Sequence, residues 1–98
     1  MADVLTAEDF RCPDGPLQLD VRIGGAPAAV ALTVESVTPL LPHRLRGDPF
    51  SVILRGPREP ALPQATYALR HPRLGVIEVF LVPVAQDATT RRYEATFN

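Results

Sequence analysis

Sulfur-containing and aromatic residues are scarce in this 98-residue sequence, which has one cysteine, one methionine and no tryptophan. The single cysteine, Cys12, cannot form a disulfide within the chain, and no group of cysteines and histidines has the spacing of a metal site. These absences exclude a disulfide-stabilised scaffold and a zinc fold. We therefore expect the chain to fold without a metal or an organic cofactor.

Lysine is absent as well. All ten basic residues are arginines, and 11 acidic residues bring the net charge to −1 and the pI to about 6.1. Nucleic-acid binding needs clustered cations that neutralise phosphates and release counterions, and the arginines form no such stripe. Nucleic acid is therefore disfavoured as the main partner. The abundance of alanine, proline and arginine indicates the coding bias of a GC-rich bacterial genome.

Long hydrophobic runs are also missing. The longest uncharged apolar run, residues 79–85, is far shorter than the roughly 20 residues that cross a bilayer as a helix. The opening MADVLTAEDF contains neither the basic region nor the apolar region of a secretory signal peptide. We therefore expect a cytoplasmic protein with no membrane partner.

Eleven prolines are distributed along the chain. Since proline breaks the interior of a helix, the intervals between the prolines favour strands and turns over a long helix. The exception is a short helix predicted over residues 6–11, where Thr6 can cap the first turn. The length favours one domain spanning residues 1–98, because a chain of this size supports a single small core.

The clearest predicted strand covers residues 17–23, where apolar side chains alternate with polar ones. The dipeptide Gly24-Gly25 suits a tight turn, and the alternation resumes over residues 30–34, so a first hairpin is predicted. The apolar pattern then slips by one residue. Such a slip is typical of a β-bulge, which we place near residues 35 and 36.

Four more segments show strand-like alternation: residues 50–55, 64–70, 76–84 and 92–97. Residues 79–82 are apolar on both faces, which predicts a central strand covered on both sides. We expect the last two strands to share one core through Val79, Leu81, Tyr93 and Phe97. The pattern predicts an all-β fold, a small antiparallel barrel or two-sheet roll of about six strands, with one short N-terminal helical turn.

Residues that could act as a nucleophile or a base are few. Ser51 lies within a predicted strand and is interpreted as a solvent-facing strand residue. His43 and His71 each adjoin a proline and are interpreted as polar turn residues. The sequence contains neither a G-x-S-x-G nor an H-E-x-x-H motif, and this thin inventory favours a non-enzymatic protein.

Four carboxylates fall on different predicted strands: Asp20, Glu35, Glu78 and Glu94. Acid–base catalysis needs two carboxylates held close together in a cleft, and the sequence does not fix the strand register that would achieve this. We interpret these carboxylates as residues of solvated faces, some of them paired across strands with Arg22, Arg55, Arg70 or Arg92. The alternative function is a small-molecule-binding or hydrolytic domain with its site in the barrel mouth.

Residues 39–49 contain three prolines, show no periodicity and are predicted to be a loop. This loop is a candidate protein-binding surface, because it combines apolar side chains with arginine, which is enriched at interface hot spots. The candidate residues are Leu40, Leu41, Arg44, Leu45 and Arg46. The alternative is that the leucines cap an open barrel end. The expected partner is another protein, and the oligomeric state is left open.

Several short segments of the sequence form a recognisable series. They run from LTAEDF near the start to YEATFN at the end, with PFSVILRGP, LPQ, HP, LG and FLVPV between them. Together these segments resemble an uncharacterised family of small bacterial all-β domains. The resemblance implies a protein-binding or assembly role, associated with phage-tail-like structural proteins, and it supplies no catalytic residues. Members of that family often have glycine where this chain has Ala65.

Overall fold

The computed structural model describes residues 7–11, 15–40 and 49–97. Its elements are α1 (Glu8–Arg11), β1 (Leu17–Ile23), β2 (Ala26–Pro39), β3 (Phe50–Pro57), β4 (Ala65–His71), β5 (Gly75–Gln86) and β6 (Thr90–Phe97). The strands form a closed antiparallel barrel in the order β1-β2-β3-β6-β5-β4, with β4 paired to β1. The predicted all-β fold with a short N-terminal helix is confirmed, and of the two predicted architectures the protein adopts the barrel.

β1 and β2 form the predicted hairpin. Gly24 and Gly25 have φ values of 59° and 82°. Two consecutive positive φ values define a type I′ turn, which matches the twist of the flanking strands and is strained for residues with a Cβ. The ladder begins with Ile23 opposite Ala26 and extends along the whole of β1.

Two long strands, β2 and β5, contain bulges, which bend a strand. The first half of β2 pairs with β1, and its second half pairs with β3 from Thr33 onward, in a ladder whose register shifts between Val34 and Ser36. This shift confirms the predicted bulge. β5 pairs first with β4 and then with β6, with a shift between Pro83 and Ala85. The bends let one sheet curl into a barrel.

Alternate residues of the strands point inward and fill the barrel. The buried apolar strand residues are Leu17, Leu19, Val21, Val30, Leu32, Phe50, Val52, Leu54, Leu69, Val79, Leu81, Tyr93 and Ala95. The core predicted for the last two strands is confirmed for three of its four members. The fourth, Phe97, is half-buried and packs against the core cluster.

Two side chains occupy the ends of the barrel. At one end α1 inserts Phe10, whose ring centroid lies 5.1 Å from that of Phe97 and 5.9 Å from that of Phe50. At the other end the segment before β4 inserts the buried Leu62, whose backbone N–H donates to the Tyr93 hydroxyl at 3.1 Å. A large apolar side chain therefore fills each end of the described barrel.

His71 fastens α1 to the turn between β4 and β5. Its Nδ1 accepts from the backbone N–H groups of Arg73 (3.1 Å) and Leu74 (3.2 Å), which leaves Nε2–H to donate to the Asp9 carbonyl at 2.6 Å. The Arg73 guanidinium also lies 2.6 Å from the Asp9 carboxylate. The interpretation of His71 as a polar turn residue is wrong, because the packing of α1 buries its ring.

Ser51 also differs from its interpretation. It lies on the outer side of β3, yet it is buried, and its hydroxyl donates to the Glu94 carboxylate on β6 at 2.7 Å. Ser51 is therefore not a solvent-facing residue. Its hydrogen bond links β3 to β6.

The outer face of β5 is open to solvent. Val79 and Leu81 point into the core, whereas Val76, Phe80 and Val84 are 61%, 50% and 48% exposed. The prediction that this strand is covered on both sides is wrong. A single closed barrel covers only the inner face of each strand, so the outward apolar residues of β5 remain exposed.

Asp87 organises the turn between β5 and β6. Its Oδ1 accepts from the backbone N–H groups of Thr89 (2.9 Å) and Thr90 (2.8 Å), and the Arg92 guanidinium lies 3.4 Å from its Oδ2. The two backbone bonds, more than the arginine, hold the pKa of Asp87 well below its usual range. The ionised carboxylate therefore stabilises this turn.

We expect Asp87→Asn to weaken the dependence of stability on acid. The Asp87 pKa is lower in the folded chain than in the unfolded chain, so its contribution is complete above the unfolded pKa of about 3.9 and is lost as the pH falls toward the folded value. Thermal melts from about pH 7 down to about pH 2 check this across that window. Glu78→Gln, a change at an exposed carboxylate of β5, is the control. Equal acid dependence in wild type and Asp87→Asn would contradict the expectation.

Candidate functional site

The ladder between β1 and β4 is the shortest in the barrel. It contains three residue pairs and ends where Asp20 lies opposite Ala68, although β1 continues to Ile23 and β4 begins at Ala65. Beyond this pair the described strands form no further β1–β4 residue pairs. A cleft of about 450 Å³ lies there, bounded by residues 20–22, 27–28, 66–68 and 70, and we call it the seam cleft. Its volume is within the range of about 300–1,000 Å³ that is typical of ligand sites.

The backbone of β1 faces the seam cleft at Arg22. In the turn after β1, the Ile23 carbonyl accepts from the Ala26 N–H, so these residues form a hydrogen-bonded pair. Pairs alternate along an antiparallel ladder, so Arg22 and its partner Pro27 form a non-hydrogen-bonded pair. Pro27 agrees with this assignment because it has no N–H to donate. The Arg22 N–H and C=O therefore point away from β2 and toward β4.

The backbone of β4 faces the seam cleft at Thr66. Asp20 lies two residues before Arg22, so its backbone groups also point toward β4, where Ala68 is its partner. Thr66 lies two residues before Ala68 and turns its own N–H and C=O toward β1. Within the described chain the β1–β4 ladder stops at Asp20 and Ala68. The seam cleft is therefore bordered by two strand edges, whose backbone donors and acceptors point into the cleft.

Charges lie along the outer rim of the seam cleft. Arg70 Nε lies 3.1 Å from Asp20 Oδ1, so these two groups form an ion pair at the closed end of the cleft. Arg22 instead donates from Nη1 to the Gly25 carbonyl at 2.8 Å. Two guanidinium groups and one carboxylate give the rim a net positive charge. Arg22 is the source of the excess.

The floor of the seam cleft is less polar than the rim. Val21 is buried there, and Ala28 and Tyr67 are partly buried against the core. The Tyr67 hydroxyl donates to the Pro63 carbonyl. Burial raises the pKa of the Tyr67 phenol, and the nearby Tyr93 raises it further, so the phenol is neutral and acts as a donor at neutral pH. The cleft thus combines an apolar floor with a basic rim.

The candidate residues of the 39–49 loop lie mostly outside the described residues. Leu40 is described: it is 38% exposed, and its N–H donates to the Pro49 carbonyl at 3.0 Å. Leu41, Arg44, Leu45 and Arg46 lie outside the described residues, as do His43 and Cys12. The predicted binding surface on this loop stays a prediction.

The predicted cross-strand ion pairs are confirmed in part. Asp20 pairs with Arg70, and Glu35 lies 2.8 Å from Arg92 and 3.7 Å from Arg55. These groups are at least partly exposed, so solvent and salt screen each pair and its contribution to stability is small. In residues 7–11, 15–40 and 49–97, no three His, Cys, Asp or Glu side chains are grouped as a metal site would require. Asp20 and Glu35 thus belong to ion pairs on the outer surface of the sheet.

The fold and the cleft define a class of protein, a small closed antiparallel barrel with one incompletely paired seam. The chain belongs to the family described as "Domain of unknown function (DUF6916)", which matches residues 5–97. The resemblance to a family of uncharacterised domains is thereby confirmed. No curated protein and no solved structure matches the chain significantly. Within the described residues there is no helix long and apolar enough to cross a membrane.

Proposed function

We propose that this chain is a non-enzymatic protein-binding domain and that the seam cleft is its binding surface. The observation that carries the proposal is the pair of strand edges at Arg22 and Thr66, whose backbone donors and acceptors face an open space. Unpaired strand edges are templates for association with another chain. The basic rim and the apolar floor supply the two kinds of contact that protein interfaces combine.

The resemblance to domains associated with phage-tail-like structural proteins indicates the kind of partner. We place the partner among the structural components of such an assembly. The loop of residues 39–49 is a second proposed contact surface, through Leu40, Leu41, Arg44, Leu45 and Arg46. It combines the exposed Leu40 with two arginines that belong to the same loop.

A matched pair of photo-crosslinking positions tests the seam cleft. Thr66 and Thr96 are both exposed threonines on the outer side of the barrel, but Thr96 lies on β6, two strands away from the cleft. A photo-crosslinking amino acid at position 66, introduced in the native host, is expected to capture one protein that position 96 does not. The captured protein is then purified and titrated against the domain. Equal capture from both positions, or from neither, would contradict a binding role for the cleft.

Two variants then separate the two surfaces. Thr66→Trp places a bulky side chain at the cleft rim, and Thr96→Trp is its control. Arg44→Ala, Leu45→Ala and Arg46→Ala are combined to test the loop. We expect Thr66→Trp to weaken binding of the purified partner at least tenfold, which is about 1.4 kcal/mol. A tenfold loss in the triple variant alone, with the melting midpoint unchanged, would place the interface on the loop instead.

A further inference from the structure

The alternation of side chains along β1 and β4 fixes what a chain in the seam cleft would meet. Val21 and Tyr67 point inward from the two strands, toward the core. Arg22 and Thr66, their neighbours, point outward. The register of the β1–β4 ladder, extended by two residues from the Asp20–Ala68 pair, places Arg22 and Thr66 at the same level. An incoming strand between them therefore meets apolar side chains on the side that faces the core and the cationic Arg22 on the side that faces solvent.

Resting on the function proposed above, we infer that the partner enters the seam cleft as an extended segment with an acidic residue between two apolar residues. The segment adds a strand to the barrel edge. Its backbone bonds to the N–H and C=O groups of Arg22 and Thr66. Its acidic side chain pairs with the Arg22 guanidinium and can accept from the Thr66 hydroxyl, and its two apolar neighbours cover Val21 and Tyr67.

Charge and geometry select this occupant over others. Asp20 already neutralises Arg70 at the closed end of the cleft, so the uncompensated positive charge of the rim is at Arg22. Cross-strand pairs of opposite charge stabilise a sheet, and like charges directly opposite destabilise it. A helix presents no free backbone groups along its length to the two strand edges, whereas an extended segment does. The three residues of β1 that extend beyond the β1–β4 ladder span about 10 Å of strand, so the recognised segment is short.

The probe is a displayed library of random seven-residue peptides selected against the purified full chain. We expect the recovered peptides to carry Asp or Glu flanked on both sides by apolar residues. Synthetic copies of a recovered peptide should lose at least tenfold in affinity for Arg22→Glu, and a copy with Lys in place of the acid should regain affinity for that variant. Arg55→Glu, a change at an exposed arginine on the outer side of β3, is the control and should leave binding unchanged. Failure to recover any peptide, or recovered peptides that bind Arg22→Glu as well as wild type, would overturn the inference.

Amide hydrogen exchange supplies a readout specific to strand addition. The N–H groups of Arg22 and Thr66 point into the cleft, whereas those of Val21 and Tyr67 point to β2 and β5. We expect a bound peptide to slow exchange at Arg22 and Thr66 at least tenfold, with little change at Val21 and Tyr67. Two N-methylated peptides are then compared, one methylated at the backbone nitrogen of the acidic residue and the other at that of its neighbour. We expect at least one of the two methyl groups to abolish binding, because it removes an N–H that bonds to a strand edge.

The remaining outcomes distinguish other occupants. Slow exchange at Arg22 and Thr66 in the free dilute protein would show that the chain fills its own cleft. Protection that appears only as the protein concentration rises would show that a second copy fills it. Either result overturns the inference. If position 66 captures a partner but no peptide is recovered, the proposed function stands and only the extended-segment mode fails; if both experiments fail, the function fails with it.

Discussion

Phe10→Ala is expected to remove about 3–5 kcal/mol of stability, the usual cost of truncating a fully buried aromatic residue. Phe10 is only 1% exposed, and its ring lies within 6 Å, centroid to centroid, of Phe50, Phe97 and His71. α1 has four residues and cannot be stable by itself, so its position on the barrel depends on this ring together with the contacts of Asp9 to His71 and Arg73. Loss of Phe10 therefore also exposes the hydrogen-bonded His71.

The effect is large because the total free energy of unfolding of a domain is only about 5–15 kcal/mol. A loss of 3 kcal/mol corresponds to a fall of at least about 12 °C in the melting midpoint. Phe10→Leu keeps most of the apolar volume and should cost less. Phe97→Ala should also cost less, since Phe97 is half-buried. A melting midpoint within about 3 °C of wild type for Phe10→Ala would show that α1 lies outside the cooperative fold.

Gly56→Ala is expected to destabilise the barrel by about 1–3 kcal/mol, the cost of overpacking a filled core. Gly56 lies near the end of β3, where a Cβ would meet Leu32 Cδ2 at 2.5 Å. Leu32 is fully buried, so its side chain can move away only by displacing other core residues. Without this clash the sign would reverse, because glycine inside a strand is about 0.5–1 kcal/mol less favourable than alanine.

A double variant identifies the cause. Leu32→Val removes the methyl group that the new Cβ would contact, and the alanine at position 56 can then fill the space. If the two substitutions acted independently, the double variant Gly56→Ala, Leu32→Val would lose the sum of the two single losses in free energy of unfolding. We expect it to be more stable than that sum predicts by at least about 1 kcal/mol, since neighbouring residues couple. Urea unfolding of the wild type, the two single variants and the double variant measures this. Additive effects, or a stabilised Gly56→Ala, would show that the contact is not the source of strain.

The strands could be predicted from the sequence because each strand buries one face, which produces an alternation of apolar and polar residues. In β1 apolar and polar residues alternate in the sequence, and in the barrel the apolar residues face inward while the polar residues face outward. The bulge in β2 was visible for the same reason, since an inserted residue reverses the phase of the pattern. β5 shows the limit of this signal. Its outward Phe80 and Val84 resemble core residues in the sequence, but nothing in the alternation says that a strand has only one neighbouring layer.

Buried polar residues could not be predicted because their burial depends on distant partners. His71 is covered by α1, which lies over 60 residues away in the chain, and Ser51 bonds to Glu94, 43 residues away. Neither partner leaves a local mark in the sequence. A proline beside the histidine suggested a turn, and the turn is there, but the helix that covers it is not a local feature.

The seam cleft was also out of reach of sequence reasoning. The turn at Gly24 and Gly25 together with Pro27 fixes the direction of the Arg22 backbone, and both signals are visible in the sequence. The sequence does not show the register between β1 and β4, whose paired residues lie about 50 positions apart in the chain. That register decides that the ladder ends at Asp20 and leaves Arg22 at an open edge.

The short β1–β4 ladder also has a consequence for the order of folding. The hairpins β1–β2 and β4–β5 each have seven residue pairs between segments adjacent in the chain, whereas the β1–β4 ladder has three pairs between residues about 50 positions apart. Joining segments that are distant in the chain costs more loop-closure entropy, and the interactions of three residue pairs offset only a small part of that cost. We therefore expect the β1–β4 ladder to form last during folding and to open first during unfolding, through a C-shaped sheet in which the other five ladders remain intact.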